Sequence, residues 1–525
     1  MKYSAVQAQR QQAAMRMQRR QKAAPVAVAA PVGGWNTRDS LDQMKATDAV
    51  VMDNWFPGLG SVYTRGGSTS YANTLGGQVK TLAEFNAKGL RKFIAAANGN
   101  IWNISSAGAG VSLASGFGSD VWNTAQFDDA SGGARMGLVN GNDAPQIYDG
   151  TTVSAMTISG SGLTASLLNG IHIHKGRSYF WDNRTQDFWY SATNALGGTL
   201  TKFPLGRVTN GGGNLVGMGT WSVDAGDGMN DMAVFILSSG DVLIYLGDDP
   251  GTAANWQLKG RYSMGAPIST RGIKKVGSEL FAITKSGYIP LSKALPGGKV
   301  VEGTSAISDK IRGAALEATR VYGGNFGWEI CHYPSQNMLL VNVPLSSTQI
   351  YQHVMNTETG SWTRFIGMNA LTWSLYNDKL YYGKADGTVV LYDPTAHSDL
   401  GTAISCDCQT AWNYLGSRSQ TKRATGIRPL MRTTGGALTY NIGVGFDFEA
   451  INISISQSAP TLTTSAWDVS PWDTTPWAAD FVTSNLWSSI IGSGYAISMR
   501  MKVSSSTQGV DWFATNYLCE KGGVL

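Results

Sequence analysis

The feature that most constrains the fold of this chain is a turn signal that recurs along its length. Glycines that follow Asn, Ser or Asp stand at positions 99, 141, 240, 287 and 387, and a short apolar strand follows each of them. The intervals between them are 42, 99, 47 and 100 residues, so two intervals are close to double the others. A period of roughly 40–50 residues is typical of the blades of a β-propeller.

Residues 351–394 show the repeating unit most fully. Short runs of alternating polar and apolar residues, such as 351–355 and 361–365, are separated by turns that contain Asn, Asp, Gly and Pro. β-Branched and aromatic residues between such turns are typical of a meander of hairpins. Four strands in about 45 residues correspond to one blade, and we predict a β-propeller of about six blades, with seven as the alternative.

Composition favours the same all-β class. Charged residues make up 15% of the chain, below the usual quarter, whereas Gly (64) and Trp (17) are abundant. The four cysteines are too few for a disulfide scaffold, so we expect a reducing compartment. Cys406 and Cys408 share one face of a strand, and we interpret them as small buried residues rather than as a metal or redox site. No apolar run of about 20 residues predicts a membrane span.

The pattern of the chain changes after residue 400. Residues 438–448 are apolar at every second position, which predicts a strand with one buried face, and the alternating residues 451–455 are a candidate hairpin partner. Three tryptophans in 467–477, spaced five residues apart and accompanied by Pro, suit a loop that lays indole rings onto an apolar surface. We therefore predict a leader at 1–30, a β-propeller at 31–400 and a β-rich C-terminal domain at 401–525.

Residues 1–22 form a basic segment without an acidic residue. They contribute +6 to a net charge of +5, so the rest of the chain is near −1 and lacks the charge of a protein that grips nucleic acid over a wide face. We interpret the leader either as disordered or as an arm that orders on a partner protein or on DNA. The prolines in 23–32 make it a weak secretion signal. The candidate partner or DNA contacts are Lys2, Arg10, Arg16, Arg19, Arg20 and Lys22.

The sequence contains few groups of residues suited to catalysis. His172 and His174 share a strand face, but without a third ligand we interpret them as hydrogen-bonded structural histidines rather than as a metal pair. The acidic stretch Asp224–Asp231 does not fit a calcium loop and is interpreted as a turn before a buried strand at 232–237. Motifs of phosphate loops, zinc proteases and serine hydrolases are absent from the sequence. We predict no catalytic residue, no metal site, no cofactor and no enzymatic activity.

Several short motifs carry a resemblance that composition does not. In combination they resemble structural proteins of short-tailed bacteriophages, over about residues 34–525, and are similar to the tail nozzle, or tail tubular B, component. The leader departs from the resemblance. The motifs are 34–39 (GWNTRD), 53–58 (DNWFPG), 174–177 (HKGR), 224–228 (DAGDG), 356–362 (NTETGSW) and 413–417 (NYLGS).

The resemblance implies a propeller-bearing virion subunit that assembles in the host cytoplasm. It implies a ring, expected to be a hexamer, which lies below the head-to-tail adaptor, contacts other tail proteins and lines the channel for double-stranded DNA during ejection. The alternatives are a carbohydrate-binding or carbohydrate-cleaving propeller of the tailspike or sialidase kind, and the adaptor subunit itself. A carbohydrate site predicts facing carboxylates or an arginine cluster in the centre of the propeller, whereas an adaptor is expected to be mostly helical.

Overall fold

The protein is all-β, as predicted. A computed structural model describes residues 24–87, 89–129, 133–209, 211–224, 229–294, 306–434, 438–459 and 482–524. Strands account for 55% of the chain and helices for 7%, in a β-propeller-like arrangement of five blades together with a nearly closed, β-barrel-like sheet. Among the described residues, none of the helices has both the length and the apolar character needed to cross a membrane.

The chain divides into two compact units. One combines the segments 1–65 and 403–525, and the other is continuous over 66–402. The predicted boundary near 400 lies close to the observed one, but residues 31–65 do not belong to the propeller as expected. They belong to the first unit because two of their strands, Asp48–Asp53 and Val62–Thr64, pair with strands of the segment 403–525.

The described residues before 66 form five short strands, and the first of them pairs with the strand Val510–Val524. Residues 24–29, which were predicted to belong to the leader, form the first of them. The strands are β1 (Ala24–Ala29), β2 (Gly34–Trp35), β3 (Asp48–Asp53), β4 (Trp55–Pro57) and β5 (Val62–Thr64).

The described residues of 66–402 form seven meanders of mainly antiparallel strands, together with the strand β6 (Gly67–Asn73), which completes the last meander. Five of the meanders are separate sheets. Their strands are, in meander 1, β7 (Thr81–Ala87), β8 (Leu90–Ala97), β9 (Asn100–Asn103) and β11 (Val111–Ser115), with β10 (Gly108–Ala109) beside β6; in meander 2, β12 (Asn123–Asp129), β13 (Gly133–Val139), β14 (Gln146–Tyr148) and β15 (Val153–Ala155); in meander 3, β16 (Ile158–Gly160), β17 (Gly170–His174), β18 (Arg177–Trp181), β19 (Asp187–Tyr190) and β20 (Gly198–Pro204).

Meanders 4 and 5 are the last two separate sheets, and meanders 6 and 7 repeat the same strand order. Meander 4 consists of β21 (Leu215–Asp224), β22 (Met229–Leu237), β23 (Asp241–Gly247) and β24 (Trp256–Ser263); meander 5 of β25 (Ile273–Val276), β26 (Glu279–Thr284) and β27 (Gly287–Pro290); meander 6 of β28 (Ile330–Tyr333), β29 (Met338–Pro344), β30 (Ile350–Asn356) and β31 (Trp362–Phe365); meander 7 of β32 (Thr372–Tyr376), β33 (Lys379–Gly383), β34 (Val389–Asp393) and β6, with β35 (Ser398–Asp399) also beside β6.

Helical structure in the described residues is short and lies between strands. The two α-helices are α1 (Leu291–Ala294) and α2 (Arg312–Tyr322), and the 3₁₀ turns are Ala165–Leu167, Leu205–Arg207, Thr270–Gly272, Ile307–Ile311 and Pro334–Gln336.

The segment from residue 402 onward contains the two longest strands among the described residues, β37 (Gln420–Thr433) and β43 (Val510–Val524). Its other strands are β36 (Thr402–Thr410), β38 (Thr439–Phe446), β39 (Ile453–Ser458), β40 (Val482–Ser484), β41 (Ser488–Gly494) and β42 (Ile497–Ser505). β38 and β39 pair as the predicted hairpin. Tyr440 and Ile442 are buried as expected, whereas Phe448 is 40% exposed because the strand has already ended in a turn. The predicted tryptophan loop at 467–477 lies outside the described residues.

The glycine signal marks the same turn in five of the seven meanders. Gly99, Gly141, Gly240, Gly287 and Gly387 all have positive φ, between 69° and 118°, and each precedes the third strand of its meander or, for Gly287, begins it. The two doubled intervals skip meanders 3 and 6, whose corresponding turns at 182–186 and 345–349 contain no glycine. The predicted count of about six blades, with seven as the alternative, therefore compares with five separate blades and seven meanders.

The repeating unit expected at 351–394 has the right strands but the wrong grouping. All five strands within 351–394 are present to within one or two residues. They do not form one blade, however. β30 and β31 end meander 6, and β32 begins meander 7, because the chain leaves the outer strand after Phe365 and returns to the centre before Thr372.

The core of this unit lies in layers between neighbouring meanders. Between meanders 3 and 4 it is mainly aromatic: the rings of Phe188 and Phe235 stack at 4.7 Å between centroids, and those of Tyr245 and Trp256 stack at 5.0 Å. Further layers join meanders 7 and 1, 1 and 2, 2 and 3, and 4 and 5. Each of these meanders is therefore stabilised by burying apolar surface against its neighbours.

Gly170→Ala is expected to destabilise the unit formed by residues 66–402. A Cβ at this position would lie 1.9 Å from Cε2 of the Trp181 indole, which covers the glycine across the β17–β18 pair. Because the indole is itself buried, the ring must shift, at a cost of about 1–3 kcal/mol. The measurement is the free energy of unfolding in denaturant. Gly324→Ala, where nothing lies within 4 Å of an added Cβ, is the matched control and should change it little.

Candidate functional site

A cavity at the centre of the seven meanders is the candidate site. Its volume is about 670 Å³, and its walls come from the first long strand of each meander, β7, β12, β17, β21, β25, β28 and β32. Cavities of this size are typical of small-molecule sites. The charged residues in its lining are Glu84, Arg271, Lys274, Lys275 and Glu329.

Arg271 crosses one end of this cavity. It lies in the 3₁₀ turn Thr270–Gly272 between meanders 4 and 5, where the Arg271 backbone N–H donates to the Ser269 hydroxyl at 3.2 Å. This local bond fixes the direction in which the side chain leaves the backbone. The Phe326 ring lies 5.8 Å from the guanidinium carbon.

The Arg271 guanidinium donates hydrogen bonds to groups from the far side of the cavity. Nη1 donates to the Lys80 carbonyl oxygen at 2.5 Å, and Nη2 donates to the Thr81 hydroxyl at 2.7 Å and to the Trp122 carbonyl oxygen at 2.9 Å. Nη1 also lies 3.5 Å from the Thr372 hydroxyl. One side chain from the 4–5 junction is thereby bonded to meanders 1, 2 and 7.

Glu329 lies at the same end of the cavity, just before β28. The Trp373 backbone N–H donates to Glu329 Oε2 at 3.3 Å. Burial raises the pKa of the Glu329 carboxyl above its ordinary value, and the positive charge of Arg271 opposes the rise. Burial in turn lowers the pKa of Arg271, and Glu329 opposes that shift. Each charge therefore offsets part of the pKa shift that burial causes in the other group.

Three other charged side chains line the wider part of the cavity. Lys275 Nζ donates to the Ser222 hydroxyl at 2.7 Å, and that hydroxyl donates to Asp231 Oδ1 at 2.5 Å, so this lysine links meanders 4 and 5. Lys274 is exposed. The buried Oε1 of Glu84 accepts no hydrogen bond from any described group. The cavity therefore offers a buried carboxylate oxygen that accepts no hydrogen bond from the described residues, and an exposed ammonium group whose positive charge acts on Glu329.

The cavity does not contain an activated nucleophile of the cysteine type among its described residues. Cys331 lines it, but burial raises the pKa of the Cys331 thiol to about 12, so the thiol stays protonated and unreactive. In the described part of the chain, no three His, Cys, Asp or Glu side chains come together as a metal site. Arg271 and Glu329 were not found from the sequence because no local motif indicates that 3₁₀ turns and strand starts from distant meanders converge.

The two histidines of β17 are hydrogen-bonded, as their sequence context predicted. His172 Nε2 and His174 Nδ1 each lie 2.9 Å from the Thr220 hydroxyl, which can donate to one ring and accept from the other. Burial, with the nearby positive charges, lowers the pKa of both His172 and His174 to about 4. Both rings are therefore neutral at pH 7 and join meander 3 to meander 4.

The other residues that the sequence singled out have structural roles or lie outside the described residues. Cys406 and Cys408 are buried on one face of β36, and Cys406 Sγ lies 3.3 Å from the Asn54 carbonyl oxygen. All four cysteines are free thiols. The buried strand predicted at 232–237 is present in β22, whereas residues 225–228 of the acidic stretch lie outside the described residues. So do the six basic leader residues, Lys2, Arg10, Arg16, Arg19, Arg20 and Lys22.

The described motifs that carry the phage resemblance, all except 224–228, form strand junctions and turns. Asn36 Nδ2 donates to Asp48 Oδ2 at 2.8 Å, and Asn54 accepts from Arg65 Nε at 2.8 Å while its own Nδ2 donates to the Ser405 carbonyl oxygen at 2.8 Å. The bonds of Asn54 hold the segment before residue 66 to β36. The motifs 174–177, 356–362 and 413–417 form tight turns in which backbone N–H groups donate to carbonyl oxygens of the same turn or the adjoining strand.

Arg271→Ala is expected to lower the free energy of unfolding by about 2–4 kcal/mol, because it removes three charge-assisted hydrogen bonds and leaves buried acceptors without donors. Arg271→Lys should recover less than half of this loss, since one ammonium group cannot reach acceptors from three meanders in the same geometry. Chemical denaturation measures both. Arg320→Ala, at an exposed position of α2, is the control, and an equal loss there would contradict the assignment.

The histidine pair predicts an acid-dependent loss of stability. Because the folded pKa values lie near 4 and the unfolded value is 6.5, the unfolded state binds more protons, and stability falls as pH drops from 6.5 toward 4. Each histidine should contribute about 1–3 kcal/mol to this loss. The double substitution His172→Asn with His174→Asn should flatten the pH dependence of the melting temperature. Thr220→Val, which removes the shared hydroxyl but keeps both rings, should retain the slope.

Comparisons with known proteins do not place the chain in a family. No family model and no curated protein matches it. Among solved structures it is similar to Raptor of Chaetomium thermophilum, with 12% identity, a TM-score of 0.41, and coverage of 63% of this chain but only 29% of Raptor. A putative 6-phosphogluconolactonase of Bacteroides fragilis has 10% sequence identity and a TM-score of 0.35, and the match covers 65% of this chain and 89% of the lactonase. An exo-beta-1,3-galactanase of Phanerochaete chrysosporium has 8% sequence identity and a TM-score of 0.24, and the match covers 75% of this chain and 95% of the galactanase. These similarities are too low to relate the function of this chain to theirs.

Proposed function

We propose that this chain is a structural subunit of the virion of a short-tailed bacteriophage, of the tail nozzle kind. In this proposal, copies of the chain assemble in the host cytoplasm as a ring, a hexamer by the resemblance, below the head-to-tail adaptor. The ring contacts other tail proteins and lines the channel through which double-stranded DNA leaves the capsid. The chain carries out no catalysis in this role.

The observation that carries the proposal is the structural use of the matched motifs. Asn54 ties the segment before residue 66 to the segment after residue 402, Asn36 braces the start of β3 through Asp48, and the described turn motifs close hairpins. Motif residues used for such junctions support a function that depends on the shape of the subunit. Motifs that met around the central cavity would instead have supported a ligand site, and none of these junction residues lines it.

Charge distribution gives independent support. The body of the chain is near neutral once the basic residues of 1–22 are set aside. A wall with few net positive charges lets DNA slide, whereas a dense basic face would bind its phosphates at each turn. The head-to-tail adaptor alternative has less support, because an adaptor is expected to be mostly helical and helices make up 7% of this chain.

A carbohydrate-binding or carbohydrate-cleaving propeller is the second candidate function. Its supporting observation is that two carboxylates, Glu84 and Glu329, line one cavity, and that burial raises the pKa of Glu329 as a general acid requires. Against it, Arg271 is the single arginine among the described residues that line the cavity, and carbonyl and hydroxyl groups of the protein already occupy its donors.

The mass of the purified chain in solution tests the proposal. At micromolar concentration, alone or with its purified adaptor ring, we expect a closed oligomer whose mass is an integer multiple of 56.0 kDa, measured by mass photometry. A chain that remains monomeric in both conditions contradicts the conduit function. Release of reducing sugar from host polysaccharide, abolished by Glu329→Gln, would instead support the second candidate.

A further inference from the structure

The edge of the long strand β43 is covered by a strand with few side-chain contacts. β1 pairs antiparallel with β43 over six residues, from Ala24 opposite Cys519 to Ala29 opposite Ala514. The backbone N–H of Ala30 extends the ladder by donating to the Phe513 carbonyl oxygen at 2.9 Å. Without β1, this stretch of β43 would present an open edge, which is a template for pairing with another strand.

The side chains of β1 contribute little to its binding. Pro25, Ala27 and Ala29 are exposed, and Val26 and Val28 are half-buried. The segment 24–29 contains no charged residue and so makes no salt bridge. Its attachment therefore depends mainly on backbone hydrogen bonds in a fixed register, which any copy of the same segment can reproduce.

The connection between β1 and the rest of the unit is a tight reversal. The N–H of Val32 donates to the Ala30 carbonyl oxygen at 2.7 Å, and the N–H of Gly34 donates to the Pro31 carbonyl oxygen at 3.0 Å. Gly34 has φ of 83°, in the left-handed region that favours glycine. Short, tight hinges of this kind favour domain exchange, because opening them relieves the constraint while the exchanged strand keeps its bonds.

We propose that β1 is exchanged between neighbouring copies of this chain, so that β1 of one subunit occupies the β43 edge of the next. The inference rests on the proposed function, in which copies stand side by side in a ring. Opened fully, residues 30–34 span at most about 17 Å, enough to reach a directly adjacent copy. A head-to-tail exchange of this type closes a ring and links its subunits without disulfides.

The geometry of the exchange follows from the pairing within one chain. The register stays that of Ala24 with Cys519 and Ala29 with Ala514, and only the chain that supplies β1 changes. In the ring, the neighbour's edge is present at high effective concentration, so exchange requires no new side-chain interface. The occupant of the edge is thus a second copy of this chain rather than an unrelated partner.

Cross-linking tests the exchange with mixed variants that each carry one added cysteine, in a background whose four buried native cysteines are replaced by alanine. Chains carrying Ala29→Cys and chains carrying Ala514→Cys are co-expressed, the assembled ring is isolated by mass, and a short bismaleimide is added. Because each chain carries one member of the pair, a link between these sites joins two chains. We expect a covalent species of twice the 56.0 kDa chain mass on denaturing gels. Mixing Ala29→Cys with Gly324→Cys, an exposed site in the other unit, is the matched control and should give none.

The double variant, with both substitutions in one chain, separates the possible outcomes. A ring in which the double variant links only within its own chain, and the mixed singles give no dimer, overturns the exchange and leaves the ring intact. A chain that never assembles and links only internally overturns the exchange and the proposed function together. Interchain links in the mixed singles within the ring support both.

Discussion

The unit of residues 66–402 depends on one strand pairing. β6, which lies at the beginning of this unit, pairs antiparallel with β34, which lies near the end of the unit. Gly67 is opposite Asp393 and Ala72 is opposite Val389. This pairing completes the seventh meander with a strand from the other end of the unit, so that β34 has a partner on both sides. Gly66 allows the close approach to the end of β34, since a Cβ on Gly66 would lie 2.5 Å from the Pro394 Cα, and Gly67 allows the approach of β35, since its Cβ would lie 2.2 Å from the Ser398 carbonyl oxygen. Because this pairing brings residues 66 and 402 close together, the flanking segments can pair with each other, as β3 does with β36.

The polar groups at the centre of the meanders are used mainly for cohesion. Arg271 bonds to meanders 1, 2 and 7, Lys275 joins meander 5 to meander 4 through Ser222, and the Thr220 hydroxyl joins the imidazoles of meander 3 to meander 4. Buried polar groups that are satisfied in this way rigidify an assembly. They fit the proposed structural role better than a ligand site, which would need those donors and acceptors free. Glu84 is the exception, because its buried Oε1 accepts no hydrogen bond from the described residues, and together with Glu329 it gives the carbohydrate alternative its remaining basis.

Several elements could be predicted from the sequence because local chemistry dictates them. Gly99 and Gly387 adopt positive φ in turns whose conformation other residues rarely take. The spacing of such glycines along the sequence therefore indicates the length of the structural repeat. The alternation around Tyr440 identified β38, and the spacing of Cys406 and Cys408 identified a shared buried face. The grouping of strands into meanders could not be predicted in the same way. A turn within a meander and a crossover between meanders contain similar residues, which is why 351–394 was grouped as one blade although it spans two.

The sequence by itself determined the all-β class, the repeat length, the strand positions and a boundary near residue 400, because turn residues and period-2 alternation act over a few positions. Only the tertiary structure decided that residues 24–65 join the C-terminal segment and that β6 completes the last meander. Only the tertiary structure, likewise, brought Arg271 and Glu329 to one end of a cavity. These outcomes depend on backbone hydrogen bonds between segments hundreds of residues apart. Such bonds are the same for every residue type except proline, so the sequence carries little signal for which edges will meet.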